Sequence, residues 1–369
     1  MENLIYLDNA ATTPTLNLDT GAYEFGNASS PHAVGLAAER LLYTARQDMA
    51  RLVNCRESEI IFTSGGTEAN NLAILGFALA HRRQSTTLHA APWEHASVTA
   101  PMKFAQEIGV AQYIPIKSTG QDFRPVDPSS QNLVSIAQLS NETGEINDVS
   151  AIARELKAQN PQTIVHVDGI QGFCKEAIDL TNIDMYTFSG HKIHAGYGAG
   201  GLIVRNARLL PLLHGGGHEM GLRSGTENIP AILSLVAAAK HLAQQRITNH
   251  EHVSAVKAEL LRITHELPDV HVNARQEATP YILNLSFLGL KGETLVHLLS
   301  EKGVCASMGA ACRSRSKNAS ALEAMGYGKE RAESAVRLSF SHLNTIAEAV
   351  RAREIICECA SQIRRVLKR

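Results

Sequence analysis

Lys192 closes the stretch Ser189-Gly190-His191-Lys192, directly after the apolar run Met185 to Phe188. Burying an ammonium at the end of a strand is costly. Such a lysine either snorkels to water at the rim or serves as a Schiff-base lysine, whose pKa falls on burial. Its companions favour the second role. Val165-His166-Val167-Asp168 ends another apolar stretch in a carboxylate, 24 residues before Lys192. A carboxylate placed there can hold the proton on the pyridine nitrogen of pyridoxal 5'-phosphate (PLP), which the cofactor needs to act as an electron sink. It can also cap a helix. Gln171 follows within reach of a phenolic oxygen.

Four further motifs bear on the same chemistry. Thr63-Ser64-Gly65-Gly66-Thr67-Glu68 follows a strand and opens a helix. Backbone N–H groups at such a turn suit a dianionic phosphate, although Gly-Gly-Thr is also an ordinary capped turn. In Glu94-His95 the imidazole can stack on a pyridine face and handle protons, or be structural. Asn141, in Ser140-Asn141-Glu142-Thr143-Gly144, can bond a cofactor oxygen or shape its turn. Gly309-Ala310-Ala311-Cys312-Arg313-Ser314 reads as an exposed, mobile loop. There the neighbours Arg313 and Arg315 favour a thiolate on Cys312. The alternative, a buried inert cysteine, suits Cys55, Cys174 and Cys305 better.

These groups need a scaffold. Helical stretches at Ala37 to Leu52 and Glu68 to His81 alternate with strand-like runs. The runs are Glu59 to Thr63, Leu133 to Leu139, Ile164 to Val167, Met185 to Phe188 and Gly201 to Val204. The alternation predicts an α/β domain with a mostly parallel sheet. From about Asn249 the texture changes to helix (His250 to Leu267), strand (Tyr281 to Phe287), helix (Gly292 to Lys302), strand (Val336 to Phe340) and helix (Thr345 to Leu367). That is a smaller α+β C-terminal domain. The expected division is a large domain over 15–245 and a small one over 1–14 and 246–369.

A chain of 369 residues is long enough for two cores. A net charge of −1 gives no general electrostatic reason to expect nucleic acid or membrane as a partner. The basic tail Arg364-Arg365 and Lys368-Arg369 reads as a solvated helix end. No apolar run is long enough to span a bilayer, and the first residues lack the pattern of a secretory signal. The six cysteines show neither disulfide-framework nor zinc spacing, so free thiols in a cytoplasmic protein are expected and no metal is. Cys357 and Cys359 face different ways on a helix.

In order and spacing, the motifs resemble the cysteine desulfurases of the class V aminotransferase group, within PLP fold type I. The resemblance runs from Tyr6-Leu7-Asp8-Asn9-Ala10-Ala11-Thr12-Thr13-Pro14 and Gly26-Asn27-Ala28-Ser29-Ser30 through Phe62 to Asn71 and Glu94 to Val98. It continues through Asn141 to Gly144, His166 to Asp168, Ser189 to Lys192 and Gly221 to Thr226, and ends with the Cys312 loop and Val336-Arg337-Leu338-Ser339. It implies that Lys192 carries the cofactor and moves the α-proton of the substrate. His95 stacks on the ring as an acid/base, Asp168 pairs with the pyridine nitrogen, Gln171 meets the phenolic oxygen, and Asn141 lies between that oxygen and the substrate, binding both. Gly66, Thr67, Ser189 and His191 cradle the phosphate. Thr226 reaches the phosphate of the partner subunit in a homodimer. Arg337 clamps the substrate carboxylate as a bidentate guanidinium, and Asn27 lies close to the substrate. L-cysteine is then converted to L-alanine, leaving a persulfide on Cys312. That sulfur passes to an acceptor or scaffold protein for iron–sulfur cluster, thio-cofactor or tRNA biosynthesis. The length of the Cys312 loop matches the long-loop subgroup.

The chain departs from the pattern in places. It is shorter between Pro14 and Gly26, reads Ala195-Gly196-Tyr197-Gly198 for Gly-Pro-Lys-Gly, and has Ala310 and Ser140 where serine and asparagine are common. None removes a catalytic group. The rival reading is selenocysteine lyase or another PLP β-eliminating lyase, which shares the site without depending on Cys312. An aminotransferase leaves Cys312 without a task. A weakly active paralogue acting as a binding protein sits poorly with intact Lys192, His95, Asp168 and Cys312.

Overall fold

A computed structural model describes residues 4–20, 23, 25–116, 129–275, 277–308 and 321–367. Cys312 and its loop lie outside the described residues. The chain divides into two compact units.

The larger unit takes in residues 14–138 and 147–244. Its seven-stranded sheet runs in the order Ile60–Thr63, Gly200–Val204, Met185–Ser189, Ile164–Asp168, Gln131–Ala137, Thr86–Ala90, Gln112–Pro115. Gly200–Val204 is antiparallel to both neighbours, and every other pairing is parallel. The sheet is the mostly parallel one expected. Met185–Ser189 is buried at every position, as in strands covered on both faces. Helix Ala33–Val53 starts where the His32 ring nitrogen Nδ1 accepts from Gly35 N–H at 3.2 Å. It ends on Asn54, whose φ of 54° lets it close the last turn. Leu42, Ala45, Met49 and Val53 recur at helical spacing and share one core with Leu235 and Ala239 of helix Ile229–Gln244.

Inside this sheet His166 bridges two strands. Its Nδ1 meets Ser135 Oγ at 2.8 Å and its Nε2 meets Thr187 Oγ1 at 2.9 Å. Burial drives its pKa from 6.5 down to about 3. The unfolded imidazole therefore takes up a proton that the folded one refuses, and stability is lost as pH falls through that window, at about 1.4 kcal/mol per pH unit. His166→Gln keeps a polar group between Ser135 and Thr187 and cannot titrate. Calorimetric melting between pH 4 and 7 is expected to show a shallower acid-side fall in Tm for the variant than for the parent.

The second unit comprises residues 4–13, 139–146 and 245–367 of the described chain. Ala335–Ser339, Ile282–Phe287 and Val270–Val272 form an antiparallel sheet with Ile282–Phe287 in the centre. Ile5–Tyr6 pairs in parallel with Val304–Cys305. Helices Arg246–Leu261, Gly292–Glu301 and Ile346–Leu367 bring Val256, Leu260, Leu295, Leu299, Ala352 and Ile356 to a core with Leu285, Phe287 and Leu338.

Two details differ from the sequence reading. The run from His250 to Leu267 is not one helix: Arg246–Leu261 gives way to Ile263–Glu266. At the junction the Arg262 N–H is shared between Glu259 O and Leu260 O, a tightened final turn. Residues 139–146, assigned from sequence to the large domain, group with the second unit. There Asn284 Nδ2 donates to Glu142 O at 3.0 Å, and Glu145 Oε1 accepts from Arg275 N–H at 2.6 Å.

Candidate active site

Parallel pairing sets Asp168 beside Thr187, two residues short of the end of the neighbouring strand. After Ser189 the chain turns at once into the 3-10 turn Gly190–Lys192. Strand ends on one side of a parallel sheet are where α/β proteins collect ligand-binding groups. The Asp168 carboxylate is buried; Oδ1 accepts from Ile170 N–H at 3.0 Å and Oδ2 from Asn70 Nδ2 at 2.9 Å. Burial raises its pKa, against those two hydrogen bonds and the electrostatic pull of His95 and Lys192. A buried acid that costs energy to ionise, facing a lysine and an imidazole, is a site signature. Gln171 is buried on the adjoining turn, where Gly169 O accepts from Gly172 N–H at 3.0 Å and from Phe173 N–H at 2.7 Å.

Strand Ile60–Thr63 leads into helix Gly66–Ala80, whose N-cap Gly65 has no side chain to cap the helix start. A methyl group on Gly66 would lie 2.2 Å from Ile170 Cδ1 and 3.3 Å from Ser189 Cβ, so any larger residue there would have to displace the Ile170 side chain. One on Gly65 would meet nothing within 4 Å. Ser189 Oγ is fully buried with no hydrogen-bond partner among the described residues. Burial, followed by the charges of Lys192 and Lys175, pushes His191 down to about 4, so it is a neutral donor and acceptor at pH 7. It stacks on Tyr197 with centroids 6.2 Å apart. Thr67 is exposed on the first turn of the helix. An uncapped helix start, open space at Gly65, an unsatisfied hydroxyl and a neutral imidazole together fit the phosphate of PLP. Asp168 fits its pyridine nitrogen.

His95 is the N-cap of helix Ala96–Glu107. Its Nδ1 accepts from Ser97 N–H at 3.1 Å and lies 2.7 Å from Ser97 Oγ. Ser97 Oγ in turn accepts from Asn70 Nδ2 at 2.9 Å. Sequence reasoning passed over Asn70 and Ser97, which join Asp168 to His95; both lie inside stretches that carry the resemblance, but nothing in their type marks them. Glu94 behaves differently from its neighbour. The residue as a whole is half-buried, yet its carboxyl Oε2 is closed to water and has no hydrogen-bond partner among the described residues. Oε1 accepts from Ala137 N–H at 3.0 Å. Burial raises this acid to about 8, with a smaller contribution from the charge of Asp168, so at neutral pH it is mostly protonated.

Asn141 and Arg337 belong to the second unit and meet there. Arg337 Nη1 donates to Asn141 O at 2.9 Å and lies 3.7 Å from Glu142 Oε1; Nη2 donates to Asp8 Oδ1 at 3.1 Å. Its Nε is buried without a partner among the described residues. Asn141 Nδ2 donates to Glu142 Oε1 at 3.2 Å. Asn27 and Thr226 are exposed, and no hydrogen bond among the described residues joins either to the Asp168 cluster. Thr226 follows a loop that Glu219 anchors: this carboxylate pairs with Arg46 at 2.6 Å and accepts from Phe62 N–H at 2.8 Å.

The fold is α/β, and the residues gathered at its strand ends fit a phosphate-bearing cofactor. The family model described as "Aminotransferase class-V" matches residues 5–351, and the chain belongs to that family. It is similar to a "NifS/IcsS protein homolog" of Lactobacillus delbrueckii subsp. bulgaricus, 36% identical over 94% of each chain. It is equally similar to "Cysteine desulfurase IscS" of Buchnera aphidicola subsp. Schizaphis graminum, 36% identical over 94% of this chain and 90% of that one. A solved "NIFS-LIKE PROTEIN" superposes with a TM-score of 0.87 at 30% identity, covering 97% of this chain and 100% of the other.

Proposed function

We propose that this protein is a PLP-dependent cysteine desulfurase. It converts L-cysteine to L-alanine and places the sulfur on Cys312 as a persulfide. The observation that carries the reading is the joining of Asp168, His95 and Lys192 at the strand ends, beside an uncapped helix start and the unsatisfied hydroxyl of Ser189. The named desulfurase relatives supply the reaction class.

Bound PLP supplies an electron sink at the substrate α-carbon. The chain's own residues do the rest. Asp168 holds the proton on the pyridine nitrogen; Gln171 and Asn141 bond the phenolic oxygen; Gly66, Thr67, Ser189 and His191 hold the phosphate. Thr226 does so across a homodimer. Arg337 binds the substrate carboxylate by a bidentate pair, with Asn27 beside the substrate. Lys192 Nζ would take the α-proton and return it to the α-carbon once the Cβ–S bond has broken, and His95 would stack on the ring and handle protons. The Cys312 thiolate attacks the substrate sulfur; the Cβ–S bond breaks toward Cβ, which is protonated to give alanine. The persulfide then passes to an acceptor protein for iron–sulfur cluster, thio-cofactor or tRNA biosynthesis in the cytoplasm. No described helix is long and apolar enough to cross a membrane.

Product analysis tests the reaction type. Incubation of the purified protein with PLP, L-cysteine and a dithiol is expected to give alanine and sulfide in equal amounts. Pyruvate and ammonia in place of alanine would identify a β-eliminating lyase and sink the proposal.

A further inference from the structure

We propose that Asn70 and Ser97 are positioning residues that transmit the charge of Asp168 to His95 and fix the imidazole proton on Nε2. The inference rests on the proposed function for the role of His95, though not for its tautomer.

The direction of each hydrogen bond follows from its neighbour. Asp168 Oδ2, as a carboxylate, can only accept, so the group of Asn70 that faces it at 2.9 Å is the NH2. The second hydrogen of that NH2 goes to Ser97 Oγ at 2.9 Å. A hydroxyl oxygen that accepts there keeps its own proton for another acceptor, and His95 Nδ1 stands 2.7 Å away. The Ser97 backbone N–H, which can only donate, points at the same Nδ1 from 3.1 Å. Two donors on Nδ1 exclude a proton from that atom, and in a neutral imidazole the proton must sit on Nε2. Asn70 is fully buried and Ser97 is buried, so the two bonds that Asn70 donates are closed to water, whereas the bonds from Ser97 to the exposed His95 ring are part-buried.

The arrangement has a consequence for proton handling. The residue that would bond the pyridine nitrogen and the residue that would stack on the ring are held by one amide, which can point only one way while Asp168 is charged. Asn70 Oδ1 is buried without a partner among the described residues, so the amide gains nothing from its other end. Its orientation is therefore set by the carboxylate and the hydroxyl alone.

Long-range 1H–15N correlation spectra of 15N-histidine-labelled protein, loaded with PLP, read the tautomer directly. His95 is expected to show a protonated Nε2 and an unprotonated Nδ1. In Ser97→Ala only the backbone donor remains, and the two nitrogen shifts are expected to move toward each other as the second tautomer becomes populated. Ser97→Thr, which keeps the hydroxyl, restores the parental shifts. With cysteine, Ser97→Ala lowers kcat by about ten-fold, or 1.4 kcal/mol, with KM unchanged. Parental His95 shifts in a folded Ser97→Ala variant overturn the proposal. Should that variant fail to fold, Asn70→Ala reads the same signal, and parental shifts there overturn it equally. The tautomer is read without turnover, so failure of the desulfurase reading leaves it standing.

Discussion

Lys192→Ala is expected to abolish alanine formation from L-cysteine, by at least about 10³-fold, while the protein stays folded. The residue ends a single turn after a fully buried strand, so its backbone is fixed by the sheet rather than by its own side chain. Removing the amine costs the covalent attachment of the cofactor and the base for the α-proton together. These do not add as independent losses, because both belong to one group. Absorbance near the visible edge on adding PLP should change character, and an added alkylamine should recover a fraction of the rate. Wild-type turnover in Lys192→Ala would remove the lysine from the reaction.

Asp168→Asn is the second large effect, and it separates stability from function. The carboxyl is buried and its pKa is raised by that burial, despite two donors and nearby positive charge. A raised acid favours the fold in its protonated form. Stability is lost as pH rises from the ordinary carboxylate range toward the higher folded value. The asparagine variant cannot ionise, so the Tm of the cofactor-free protein should depend less on pH there. Turnover should fall by about 10²- to 10⁴-fold, because the pyridine nitrogen loses the partner that keeps it protonated. The amide of the variant also sets an NH2 against the NH2 of Asn70, which must turn over and give up Ser97. Buried charges kept at a cost to stability are a common trade at functional sites. A Tm–pH profile identical to the parent's, with full turnover, would contradict both halves.

Much of this site is legible in the sequence because its groups stand where elements end. Asp168, Ser189 and Lys192 each follow an apolar run that has to be a buried strand, and Gly65-Gly66 marks the turn from a strand into a helix. The parallel order of the strands follows from helices alternating with them. Other features were not legible for physical reasons. Helix Ala96–Glu107 carries Pro101 in its interior and is capped by a histidine ring, so neither its start nor its body has the usual signals. Residues 139–146 lie between two stretches of the large sheet unit, and their hydrogen bonds to residues such as Arg275, Asn284 and Arg337 assign them to the other. Asn70 reads as a polar residue on a helix until its amide is seen to join Asp168 to Ser97. Directionality of this kind depends on three-dimensional pairing, which residue types alone do not encode.

The most direct measurement is the mass of the protein after brief treatment with L-cysteine, in the presence of PLP and without reductant, followed by peptide mapping. An increment of one sulfur on the peptide containing Cys312, absent in Cys312→Ala and removed by dithiothreitol, is the predicted result. No added sulfur, or sulfur on another cysteine with Cys312→Ala fully active, would contradict desulfuration through Cys312.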